Sequence, residues 1–253
     1  MNLFSINLLT TMTTQKTENT YRSLVKELIE QIVSGVFKDY VLPGENELCK
    51  KFNVSRTTLR SALQVLDAKN IVKKQAKKKT VINNREEWDW FDPKLIEYTS
   101  EFLDKKELLY HVGALRMTFE PQASALCALN ADFSDLAELD NGNKMMQDAI
   151  ITKNSKLFTQ GDVSFHRAIF KGTHNPFFIR LSELIIHTSI LSILTTLDTD
   201  LEDSKQAIED HIALMTAIRF KQAKKAQKIM DKILKESLSK IFKDDLPNYY
   251  QIL

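Results

Sequence analysis

The sequence predicts a mainly α-helical chain built as two modules, and three observations lead there. Its 253 residues include only 6 Gly and 5 Pro, too few turn formers for a fold of many short strands. Apolar residues recur at three- and four-residue spacings along most of the chain, the period of a helix with one buried face. Charge is divided unevenly: residues 1–85 hold 15 Lys and Arg against 7 Asp and Glu, and the remainder holds 20 against 26. A small basic module joined to a larger acidic one thus lies behind a formal charge of +2, and the basic module calls for a polyanion partner. The 43% apolar and 27% charged content is ordinary for a chain that buries a real core, which excludes disorder as the main state. Cys49 and Cys127 lie far apart and form no disulfide framework. The apolar stretch from Leu181 to Leu197 is broken by Ser182, Glu183 and His187. A cytoplasmic protein with no membrane span is expected.

Residues 1–19 lack the positive start of a secretory signal and read as a flexible tail, with Met12 an alternative start. From Tyr21 to Ser34, the residues Leu24, Val25, Leu28, Ile29, Ile32 and Val33 form one face of a helix. Gly35 ends it, being tolerant of the left-handed conformation. After Pro43 and Gly44 a short helix spans 45–52, and Asn53 breaks it. Ser55 then caps a helix from Arg56 to about Lys69 that buries Leu59, Leu63 and Leu66, with Ala62 small enough for close packing. Two short helices joined by a tight turn make a helix-turn-helix. Ile71, Val72, Val81 and Ile82 supply two β-prone runs around Lys73, Lys74, Lys77, Lys78 and Lys79, so a basic hairpin follows as a wing.

The predicted organisation is therefore an N-terminal winged helix-turn-helix over residues 20–83 and a linker over 84–92 whose Trp88, Trp90 and Phe91 dock onto a domain. An all-α helical bundle over 93–243 and a tail over 244–253 complete it. Bundle helices are expected near 93–104, 105–129, 132–150, 155–171, 176–197, 201–219 and 221–242, with Asn130, Gly142, Gly172, Asn175 and Pro176 marking joints or local irregularities.

Arg56 and Arg60 are four residues apart and project from one side of the second helix, flanked by Ser55 and Thr57, while Leu59 and Leu63 point to the other. Such a helix end can enter a major groove, where Arg forks onto guanine edges or phosphates. Double-stranded DNA is the expected partner, with Lys77 and Lys78 of the wing reaching its phosphates.

The segment LPGENELCKKFNVSRTTLRSALQVLDAKNIV resembles the DNA-binding domain of the GntR family of bacterial transcription regulators. The resemblance implies operator contacts for Ser55, Arg56, Thr57 and Arg60. Two departures stand out: Asn46 occupies a position where the family often has arginine, and the wing tip carries Ala76, Lys77, Lys78 and Lys79 where a glycine is usual.

Three further stretches, LLYHVGALRMTFEPQASALCAL, GDVSFHRAIFKGTHNPFFIRL and EDHIALMTAIRFKQAKKAQKIMDKIL, are similar to the all-helical effector domain of the FadR-type branch. The resemblance implies a divalent metal (Zn, Ni or Mn) on Asp162, His166 and His211, with Ile233 standing where related domains place a further histidine. Spacing alone favours a hydrogen-bonded surface pair for Asp162 and His166, an order that the resemblance reverses, and a metal-free pocket remains the alternative. Arg116 matches a position where the family points an arginine at an acid in the pocket; a surface ion pair with Glu120 is the plainer reading.

The resemblance implies a ligand-responsive homodimer, a repressor released from a palindromic operator by a small organic acid. The stretch REEWDWFDPKLIEY is similar to that of sugar-acid regulators, which favours a sugar-acid or other organic-acid catabolic operon. Two other classes compete: a metal-dependent hydrolase carrying a DNA-binding domain, and an architectural DNA binder. The sequence has no nucleophile elbow, phosphate loop or HExxH helix to favour the first.

Overall fold

A computed structural model describes residues 21–75, 79–196 and 204–242, with side chains omitted for 187–196. The chain divides after Leu103 into two compact units.

In the first unit, helix α1 (21–33) buries Leu24, Val25, Leu28 and Ile29, the apolar stripe expected from their spacing. Gly35 follows at φ +68°, the left-handed turn that ends the helix. Helix α2 (Glu45–Lys51) is closed by Asn53 at φ +50°, and α3 (Arg56–Ala68) begins at Ser55, whose hydroxyl accepts from the Thr58 amide at 3.1 Å. That cap satisfies one of the helix's orphan donors. Strands β1 (Val72–Lys74) and β2 (Thr80–Ile82) pair antiparallel with Val72 opposite Ile82. The expected winged helix-turn-helix is therefore present.

The predicted division of the chain needs correction. Helix α4 (Pro93–Thr99), assigned from sequence to the bundle, belongs to the first unit, where Leu95 and Tyr98 join the cluster of Leu28, Leu59 and Leu66. The segment 84–92 is likewise no free linker. Trp88 is 4% exposed, stacks on Trp90 with ring centroids 5.7 Å apart, and donates from its indole to the Asn83 carbonyl at 3.2 Å. Buried Lys69 at the end of α3 pairs with Asp92, the cap of α4. The docking expected of the aromatics holds for Trp88, whereas Phe91 stays 71% exposed.

The second unit consists, among the described residues, of α5 (Lys105–Asn130), α6 (Phe133–Thr152), α7 (Ser155–Gly172), α8 (Pro176–Thr196), α9 (Lys205–Arg219) and α10 (Ala223–Phe242). Helix α5 runs through Pro121, whose missing N–H costs one backbone hydrogen bond. Gly142 marks no joint, because α6 is continuous across it. It permits a backbone contact instead: a Cβ on Gly142 would lie 2.9 Å from the Phe165 amide nitrogen, and one on Gly161 would lie 2.9 Å from the Gly142 carbonyl. This close approach brings α6 against the stretch of α7 that carries Asp162 and His166. No helix among the described residues is long and apolar enough to cross a membrane.

Candidate functional sites

The first site is the exposed start of α3. Ser55, Arg56, Thr57 and Arg60 are all exposed, while Thr58 and Leu59 between them are buried, as helical periodicity requires. The Ser55 hydroxyl already accepts from the Thr58 amide. Arg60 is held by Glu45 of α2, its Nε donating at 3.0 Å and Nη2 lying 3.0 Å from the same carboxylate oxygen, while Lys74 of β1 stands 3.6 Å from the other oxygen. Glu45 is shifted below the usual carboxylate range by the Arg60 hydrogen bond, against a weak effect of burial. One partly exposed carboxylate thus joins the two helices and the wing. Lys77 and Lys78 lie outside the described residues.

The second site lies inside the second unit. Helix α7 supplies Asp162 and His166 one turn apart, and α9 supplies His211; all three are buried, and one ligand atom from each lies within 4.8 Å of the others. The His211 Nδ1 is 2.6 Å from the Ala207 carbonyl, which can only accept, so Nδ1 carries the hydrogen. In the neutral ring Nε2 is then a bare lone pair. It has no hydrogen-bond partner and sits 3.4 Å from Asp162 Oδ1, another acceptor. His166 repeats the pattern: Nδ1 meets the Glu120 carboxylate at 2.5 Å, and Nε2 lies 3.9 Å from Asp162 Oδ2. Two imidazole lone pairs and a carboxylate facing one another repel unless a cation lies among them. The donor set therefore fits a divalent metal bound by nitrogen and oxygen.

Electrostatics lead the same way. Burial alone would raise Asp162, but the facing imidazoles, His166 above all, and the Arg116 charge hold it at about 2. Burial would lower His166, yet the charges of Glu120 and Asp162 push it up.

Glu120 is the participant that sequence reasoning missed as part of this centre. It is fully buried and joins Arg116, whose Nε is 2.5 Å from Oε1, to His166. Despite complete burial it is held at about 2 by the charges of Arg116 and His166 and by hydrogen bonds from both. The plain reading of Arg116 and Glu120 as a surface pair is corrected, since Arg116 is only 7% exposed. A carboxylate orienting a ligand histidine is the usual outer support of a metal site. Its signal was present: Arg116 and Glu120 occupy the face of α5 that otherwise buries Leu109, Val112, Ala123 and Cys127. On α10, Ile233 packs against the bundle core and offers no nitrogen. A groove of about 400 Å³ between α6 and α7, lined by Glu138, Asn141 and Arg167 among others, includes none of these residues.

Fold and sites together define a transcription regulator with a DNA-binding module and an all-helical second module. Residues 20–82 match the gntR family of bacterial regulatory proteins, and residues 111–236 match the FCD domain. The chain belongs to the GntR family, in the branch that carries FCD, whose members are regulators and not enzymes. It is 27% identical over 218 residues to the galactonate operon transcriptional repressor of Escherichia coli K12, covering 85% of this chain and 92% of that protein. It is 30% identical over 197 residues to the uncharacterised HTH-type transcriptional regulator YieP of the same organism, covering 75% and 84%. Among solved structures it is similar to Lar, which controls the agr system of Listeria monocytogenes, with a TM-score of 0.64 at 17% identity over 90% and 97% of the two chains. That likeness shows the fold.

Proposed function

We propose that the protein is a ligand-responsive repressor of a sugar-acid or other organic-acid catabolic operon, released from a palindromic operator when the effector binds. A homodimer would present two copies of α3 to successive major-groove half-sites. Arg56 and Arg60 would read bases, Ser55 and Thr57 would help seat the helix, and Lys77 and Lys78 would grip phosphates. The name of the galactonate operon repressor supports both the repressor role and the effector class.

In the second unit Asp162, His166 and His211 would hold Zn, Ni or Mn, and Ile233 in place of a fourth ligand would leave a position open to an effector oxygen. The metal would polarise that oxygen and add positive charge. Arg116, with Nε committed to Glu120, would keep its terminal N–H groups for the effector carboxylate. Binding would release DNA only by favouring a spacing of the two α3 helices that misfits the operator. The observation that carries this reading is the buried His211 Nε2, locked as an acceptor and facing a carboxylate.

Metal analysis and isothermal titration with six-carbon sugar acids, before and after chelation, provide the test. Metal and acid should bind with mutual dependence, His211→Ala should lose both, and Arg116→Ala should keep the metal and lose the acid. An acid that binds chelated protein undiminished would remove the metal from the account and spare Arg116.

A further inference from the structure

Two buried side-chain polar atoms lack a hydrogen-bond partner among the described residues: His211 Nε2 and Asn143 Oδ1. The second has no place in the metal cluster. Asn143 lies on α6 in a buried stripe with Leu139 and Met146, is 2% exposed, and directs its amide nitrogen at the Met215 sulfur, 3.4 Å away. A thioether is a weak acceptor, so the amide is poorly served at both ends. Met215 follows His211 by one turn of α9, and both are buried, so the two orphaned atoms are linked through one helix face. The neighbouring Gly142 is in backbone contact with Phe165, whose ring meets those of His166 and His211 edge-on with centroids 6.1 and 5.0 Å away. The unserved amide and the metal cluster therefore belong to the same interior region of α6, α7 and α9.

We infer that Asn143 determines effector specificity by hydrogen-bonding a hydroxyl of a polyhydroxylated acid. The inference rests on the reading that the effector enters this interior. A buried unserved amide is costly where a leucine would pack, and a ligand group that completes it removes the cost. That group must donate to Oδ1 and accept in place of the sulfur. A hydroxyl does both; a carboxylate cannot donate, an ammonium cannot accept, and an alkyl chain does neither. The conclusion stands if the amide is turned over, because a hydroxyl serves either end. Arg116 and the metal recognise the acid, and Asn143 separates hydroxylated acids from plain ones.

The experiment compares zinc-supplied full-length wild type with Asn143→Leu, which keeps the branched shape, by calorimetric titration with a panel of six-carbon aldonates and with hexanoate. Wild type should bind at least one aldonate more than about tenfold tighter than hexanoate. Asn143→Leu should lose about tenfold or more of that preference, bind hexanoate as before, and melt no lower than wild type without ligand. Retained aldonate preference in Asn143→Leu would overturn the inference. So would a lowered melting temperature with parallel loss of both acids, which marks a structural role. Wild type that binds acids without regard to hydroxyls refutes the role of Asn143 and leaves the effector site standing; wild type that binds no acid removes both.

Discussion

Two charged clusters of this protein, one in each unit, are built from similar residues and behave in opposite ways. At the start of α3, Glu45 holds Arg60 and Lys74 in the open, with the arginine side chain 63% exposed. In the second unit, Glu120 holds Arg116 and His166 with all three side chains at most 8% exposed. An exposed pair is screened and contributes about 0 to 1 kcal/mol, so its arginine can leave one carboxylate for a guanine edge or phosphate at little cost. A buried network has no water to fall back on, so its members stay in place, and under the proposed function a small cation or acid would complete them. The first arrangement suits a surface that exchanges partners, and the second suits a sensor that must be preformed.

The largest expected effect tests the buried half. Glu120→Ala strands Arg116 and His166 and should destabilise the second unit by about 3 to 5 kcal/mol. Both tryptophans, Trp88 and Trp90, lie in the first unit, so urea unfolding followed by fluorescence reports that unit while far-UV circular dichroism weights the helices of the second. The dichroism midpoint should fall and the fluorescence midpoint should hold; equal shifts would show that the units unfold together.

The exposed half is tested next. Arg60→Ala should cost about 1 to 3 kcal/mol of specific operator binding while leaving folding stability within about 1 kcal/mol. Anisotropy titration on operator DNA recovered by selection measures the first, and urea unfolding the second. Lys78→Ala should instead weaken all DNA alike and flatten the salt dependence.

Between the two extremes lies Asp92, half-sheltered beside Lys69. Its carboxyl is lowered because hydrogen bonds from Lys69 and the Lys94 amide outweigh burial, the largest single contribution. A depressed folded value means that its stabilisation is complete above the unfolded value near 3.8 and is lost as pH falls through the folded one. Acid titration of tryptophan fluorescence should therefore show Asp92→Asn less stable than wild type at pH 6, with the gap closing in strong acid. A gap that does not change with pH would remove the charge from that account. The smallest effect belongs to Glu45→Gln, which should leave stability within about 1 kcal/mol and strengthen binding to DNA of any sequence by removing a negative charge.

What was legible in the sequence was what is local. The Ser55 cap, the apolar stripe of α1, the left-handed turns at Gly35 and Asn53, and the periods of α5 to α10 each depend on neighbours a few residues away. The ownership of α4 was not legible, because Leu95 and Tyr98 give the same helical period whichever core receives them. Gly142 read as an irregularity because a helix backbone approaching another leaves no mark on one sequence. Asp162, His166 and His211 were found through family resemblance, since His211 lies 45 residues beyond His166 in the chain. Glu120 and Asn143 interrupt apolar faces, and that signal becomes specific only when the facing helices are in place.

The most direct test of the whole account is operator release measured by fluorescence anisotropy with full-length wild type and His211→Ala, each with zinc and the tightest-binding sugar acid. Operator affinity should be equal for the two proteins without acid, fall tenfold or more for wild type on adding it, and not respond in His211→Ala. An equal response from both proteins would contradict the account.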